Sequence, residues 1–122
     1  MPKIILLVED EPALQKTLAT ALEQENYEVK SAPDGEAGLH LALEIKPDII
    51  LLDLVMPKMD GFKVLEALKK DEHTKNIPVI VLTNLESAQD IERAMALGAT
   101  NYLVKANYVL TDVIEKVRDN IK

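Results

Sequence analysis

Five short apolar runs, each followed by a stretch with helical spacing, constrain this chain more than any other feature of it. The runs are "KIILLVE", "YEVKSA", "PDIILLD", "PVIVLT" and "TNYLVK". In the first, Ile4, Ile5, Leu6, Leu7 and Val8 follow one another without polar alternation, the pattern of a strand covered on both faces. Parallel sheets packed between helices have that pattern. The segments between the runs carry apolar residues three and four apart. Leu14, Leu18, Ala21 and Leu22 form the first stripe, and Leu39, Ala42 and Leu43 the second; both are expected to face the core. Val64, Leu65 and Leu68 mark a third helix, Ile91, Ala94 and Met95 a fourth, and Leu110, Val113, Ile114, Val117 and Ile121 a fifth. Pro12 opens the first helix, Pro47 follows the second, Ser87 is placed to cap the fourth and Gly98 to end it.

Strands alternating with helices imply right-handed crossovers and a parallel sheet with helices on both faces. The expected fold is α/β: a flavodoxin-like, doubly wound (βα)5 unit with a five-stranded parallel sheet in the order 2-1-3-4-5. At 122 residues the chain fits one domain, 1–122, with no linker or repeat beyond the βα rhythm. In this order the first and third strands flank the topological switch point, where ligands of open α/β sheets bind.

Composition narrows the function. The chain has no cysteine, which removes disulfides, thiolate catalysis and cysteine zinc sites together. Its net charge is −7, its basic residues are scattered and it has four aromatics, so direct nucleic-acid binding is not expected. No segment reads as a signal peptide or membrane span, so a cytoplasmic location away from membranes is expected by default. His40 and His73 have no acidic partner at ligand spacing and read as solvated.

The first strand runs into Glu9, Asp10 and Glu11, and the third ends at Asp53. Glu11 before Pro12 reads as a helix start. Glu9, Asp10 and Asp53 would meet in one crevice and repel one another; a hard divalent cation resolves this, and oxygen ligands suit Mg²⁺. The fourth strand ends in Thr83, a hydroxyl, and the fifth in Lys105, an ammonium on a flexible stem. A site that holds a cation and a tetrahedral anion together suits phosphoryl transfer, with Asp53 as the carboxylate nucleophile. Each of these residues also has a plain structural reading: a loop cap for Asp53, backbone satisfaction for Thr83, a surface charge for Lys105.

The acidic pair in "LLVEDEP", the run "DIILLDLVMPKMDG", the strand "VIVLT" and the segment "GATNYLVKA" together resemble the receiver domain of two-component response regulators, over essentially the whole chain. The resemblance implies that Asp53 accepts a phosphoryl group from a histidine kinase or histidine phosphotransfer protein. Asp10, Asp53 and the backbone carbonyl of Val55 would bind Mg²⁺, with Glu9 acting through a metal-bound water. Lys105 and Thr83 would contact the phosphoryl oxygens, and Tyr102 would turn inward as Thr83 moves. Glu86, Gln89, Arg93, Tyr102 and part of the last helix would form the responding surface. The chain would be a phosphoacceptor switch, not an enzyme acting on a separate substrate. No output domain follows Lys122 in this sequence, which leaves two readings open: a longer chain whose output domain lies beyond it, or a product that is a protein-protein event, namely docking on a separate effector, phosphorelay, or phosphorylation-dependent homodimerisation.

Two features depart from the family pattern. Ala106 stands where a proline usually follows the lysine, and the Lys105-Ala106 bond is expected to be trans, since a cis bond to a non-proline costs about 2.5–4 kcal/mol. Asn84 stands where a small residue is usual and is expected to narrow access for the phosphodonor or the hydrolytic water; Val55 and Leu85 are apolar, so neither orients a water, and a long-lived phosphoryl group is expected. A haloacid-dehalogenase-type phosphatase would need a second acid at Val55, and a flavin carrier would need a small-residue phosphate loop where "EDEP" stands. A phosphorylation-independent adaptor with receiver shape stays open as the alternative.

Overall fold

A computed structural model describes residues 2–54, 56, 59–83, 88–104 and 110–121. Its elements alternate in chain order: β1 (Ile4–Val8), α1 (Pro12–Glu23), β2 (Glu28–Ala32), α2 (Gly35–Ile45), β3 (Ile49–Asp53), α3 (Gly61–Lys70), β4 (Val79–Thr83), α4 (Ala88–Ala96), β5 (Asn101–Val104) and α5 (Leu110–Asn120). The strands form one sheet in the order β2-β1-β3-β4-β5, and every pairing is parallel. This is the doubly wound order expected from the run-and-stripe pattern.

The unalternated strands sit at the centre because only there are both strand faces covered. Every residue of β3 and β4 is buried. Their side chains split between two apolar layers. Leu6, Ile50, Leu52, Val79 and Val81 pack toward α2, α3 and α4, with Val64, Leu65, Leu68 and Ala94 among the helical partners. Ile5, Leu7, Ile49, Leu51, Ile80 and Leu82 pack toward α1 and α5, against Leu18, Leu22, Val113 and Val117. The edge strand β2 faces solvent over most of its length, with Glu28, Lys30 and Ser31 exposed.

The helix on the second stripe meets the sheet differently from the expectation. Leu43 is exposed, and the buried line of α2 is Gly35, Gly38 and Ala42. A β-carbon on Gly38 would lie 2.7 Å from a Val8 methyl, so small residues let the α2 axis approach the sheet closely and turn Leu43 outward. Met95 of α4 and Leu110 of α5 are exposed as well.

Helix boundaries follow local chemistry. Pro12 opens α1 after Glu11. Asp34 and Asp60 cap α2 and α3, their carboxylates accepting the N–H of Ala37 and of Lys63, each at 2.9 Å. Gly98, at φ +110°, ends α4, and Lys46, at φ +47°, ends α2 just before Pro47. The expected Ser87 cap lies outside the described residues. Among the described residues no helix is long and apolar enough to cross a membrane.

Candidate phosphoacceptor site

Five polar or charged residues are buried among the described ones: Glu9, Asp34, Asp53, Thr74 and Thr83. Two have evident structural duties. Asp34 caps α2, and the Thr74 hydroxyl donates to the Leu68 carbonyl at 2.7 Å, closing the turn after α3. The other three, Glu9, Asp53 and Thr83, all lie at the carboxyl ends of central strands, on the rim of the switch-point crevice.

Topology brings them together. Because β1 lies between β2 and β3, the residues after Val8 face the end of β3, and the register Val8↔Leu52 sets Glu9 beside Asp53. Glu9, Asp10 and Asp53 each offer a carboxylate oxygen within 4.8 Å of the others. Glu9 and Asp53 are buried and Asp10 is exposed, so the cluster opens to solvent on the Asp10 side. Next along the sheet, Asp53↔Leu82 places the buried Thr83 one residue further along β4.

The Glu9 backbone is fixed from both sides. Its N–H donates to the Ala32 carbonyl at 3.1 Å, and its own carbonyl accepts from Gln15 Nε2 at 3.1 Å. Gln15 Nε2 also lies 3.5 Å from the Ala32 carbonyl, so one side chain of α1 ties the tops of β1 and β2 together. Glu9 Oε2 accepts the N–H of Glu11 at 3.1 Å. Nothing in the single sequence signals this duty of Gln15, which exists only once the fold brings the two carbonyls together.

The loop after Asp53 is anchored by backbone. Leu54 donates its N–H to the Leu82 carbonyl, and its carbonyl accepts the Gly61 N–H, both at 3.0 Å. A β-carbon at Gly61 would sit 2.5 Å from the Asp53 carbonyl oxygen, so this close return of the chain requires glycine. Phe62, the next residue, is buried under Arg93 of α4, whose guanidinium carbon is 4.2 Å from the ring centroid. Tyr102 is 38% exposed. His40 and His73 are exposed, as expected. Lys105, Ala106, Val55, Asn84, Leu85 and Glu86 lie outside the described residues, and with them the expected anion contact, the carbonyl ligand and the trans bond.

The donor set suits a hard divalent ion. All three groups are carboxylates, two of them are buried side by side, and one side of the cluster is open to water, which fits Mg²⁺ better than an ion that wants a closed nitrogen or sulfur cage. Carboxylates this near one another raise each other's cost of ionisation, which a shared cation offsets.

Residues 5–118 match the family model of the response regulator receiver domain. The chain is 41% identical over 118 residues to the DNA-binding dual master transcriptional regulator RpaA of Synechocystis sp., a match covering 97% of this chain and 48% of RpaA. The chain thus spans about half the length of that relative. Among solved structures, chemotaxis response regulator CheY4 of Vibrio cholerae superimposes with a TM-score of 0.92 at 27% identity, over 99% of this chain and all of the other. The receiver domain of the sensor histidine kinase PA1611 of Pseudomonas aeruginosa, solved with a magnesium ion coordinated in its active-site cleft, superimposes with a TM-score of 0.89 at 27% identity over 98% of each chain.

Proposed function

Because the chain belongs to the response regulator receiver domain family, the switch modules of two-component signalling, we propose that Asp53 is its phosphoacceptor and that phosphorylation of Asp53 sets its signalling state. The observation that carries this reading is the meeting of Glu9, Asp10 and Asp53 within 4.8 Å, at the ends of two strands distant in sequence.

In the proposed reaction a carboxylate oxygen of Asp53 attacks phosphorus in a phosphohistidine of a histidine kinase or phosphotransfer protein. The P–N bond breaks and the imidazole nitrogen keeps the electron pair and takes up a proton. Asp10 and Asp53, with the Val55 carbonyl, would hold Mg²⁺, and Glu9 would act through water. The ion, when bound, supplies positive charge to the phosphoryl oxygens. Glu9 and Asp10 have a second duty, setting the negative field that keeps the crevice selective for a cation.

Thr83 and Lys105 are the proposed partners of the phosphoryl oxygens, the first by a hydroxyl donor and the second by charge. The new charge of about −1.5 to −2 draws Thr83 inward, and the exposed Tyr102 follows it, reshaping the surface of α4, β5 and α5. A separate effector would read that surface, or two phosphorylated copies would pair through it. The protein would thus catalyse only its own phosphorylation and dephosphorylation.

The test uses acetyl phosphate and Mg²⁺ with rapid intact-mass measurement. Gain of one phosphoryl group in the native chain, absent in Asp53→Asn and without metal, supports the proposal. No gain, with fold and Mg²⁺ binding intact and a phosphorylated histidine donor also ineffective, would overturn it in favour of a phosphorylation-independent adaptor.

A further inference from the structure

Among the described residues the sheet ends at two edge strands, β2 and β5, and they differ in kind. β2 carries Glu28 and Lys30, exposed and 3.8 Å apart at their charged ends, which blunts it against further pairing. β5 carries no charge: its residues are Asn101, Tyr102, Leu103 and Val104. It pairs with β4 on one side, and all four residues line an open groove of about 630 Å³ whose other wall is α5.

The alternation of a parallel ladder turns every second amide of β5 away from β4. The Tyr102 N–H ends on the side-chain Oδ1 of its neighbour Asn101, at 2.9 Å, and Lys116 Nζ of α5 lies 3.4 Å from the same oxygen. An amide-type oxygen of the chain itself therefore satisfies the amide that the carbonyl of an added strand would take up. Such a local stopper is replaceable, because a backbone carbonyl presents the same acceptor.

The α5 wall decides what could replace it. Among the described residues, Asp112, Glu115 and Asp119 line the groove with Lys116; Arg118 approaches Asp119 to 3.7 Å, with both side chains largely in solvent. A second copy paired edge to edge would bring two such acidic walls together, on chains of net charge −7 each. A basic segment meets complementary charge instead.

We propose that the free edge of β5, with the acidic wall of α5, is a docking site for an extended, lysine- or arginine-bearing segment of a partner protein, which adds as a sixth strand and displaces Asn101 from the Tyr102 amide. This rests on the reading of the α4, β5 and α5 surface as the effector-binding face and deepens it by naming the chemistry of the partner; the acetyl phosphate test of Asp53 stays independent of it. Main-chain hydrogen bonds would give the mode of binding, and the side chains turned toward α5 the selectivity.

The experiment titrates the ¹⁵N-labelled chain with the synthetic peptide acetyl-TKVRVKT-amide. Two controls accompany it: the same peptide N-methylated at alternate residues, and one with glutamate in place of each basic residue. Expected are saturable shifts at Asn101–Val104 and along α5, binding about tenfold weaker for the N-methylated peptide, and none for the acidic one. In Asn101→Ala, checked for unchanged melting, removal of the stopper is expected to tighten binding about fivefold. Equal affinity of the N-methylated peptide would reduce the effect to charge attraction and overturn strand addition. So would shifts confined to other surfaces, no binding at all, unchanged affinity in Asn101→Ala, or a β5-mediated dimer in sedimentation that excludes the peptide.

Discussion

Asp53 and Thr74 are both buried and both polar, yet they answer to different demands. Thr74 is a hinge pin: its hydroxyl donates to the Leu68 carbonyl, and Thr74→Val is expected to cost about 1–3 kcal/mol in denaturant unfolding while leaving phosphorylation of Asp53 unchanged. Asp53 stood out in the sequence because a wholly apolar strand ends on it, and a buried charge there needs a partner. Thr83 was legible for the same reason. Arg93 over Phe62 was not, because the contact joins two helices whose spacing in sequence says nothing about their approach. At the surface, Glu66 is held below the usual carboxylate range, first by its hydrogen bond and charge contact with Lys70, with a smaller pull from Arg93. A lowered folded-state value stabilises above the unfolded pKa and is lost as pH falls through the folded one. Lys70→Ala should therefore move the Glu66 titration, followed by carboxyl NMR shifts, back toward 4.5. A third expectation concerns lifetime: polar substitution at both Val55 and Leu85 should shorten the half-life of the phosphorylated chain by about tenfold, measured by loss of the mass adduct. An unchanged half-life would show that these side chains are not the brake.

At the scale of elements, the strands and helices followed from pattern, whereas the way they touch followed from residues that pattern ranks low. The α2 stripe named Ala42 rightly and Leu43 wrongly, and it did not include Gly38, which sets the contact, since close approach is fixed by what is missing from a side chain. The same holds for the loop that returns α3 to the sheet. Gly61→Ala forces a β-carbon onto the Asp53 carbonyl and the Leu54 backbone, neither of which can swing aside. This substitution is expected to destabilise by more than about 2 kcal/mol and to weaken Mg²⁺ binding as well, read by denaturation and by metal titration. Gly98→Ala offers a comparison: it incurs the strain of φ +110° and a clash with the Lys69 side chain, but far from the crevice, so stability should fall with metal affinity unchanged.

For the whole molecule, three carboxylates within 4.8 Å make the crevice the place where charge works against folding. Asp10→Asn should raise the metal-free melting temperature and shrink the rise that Mg²⁺ produces, since the same repulsion sets both. A lower metal-free melting temperature would mean that Asp10 supports the fold through contacts of its own. The sheet above that crevice is also a partition. Among the described residues, the layer formed with α2, α3 and α4 and the layer formed with α1 and α5 have no buried side chain in common. Perturbations should therefore sum across the sheet and interact within a layer: Leu68→Ala with Leu22→Ala close to additive, Leu68→Ala with Val64→Ala not. A chain built this way can accumulate changes in one layer at nearly constant cost in the other, which leaves the two sides of the molecule free to diversify at separate rates.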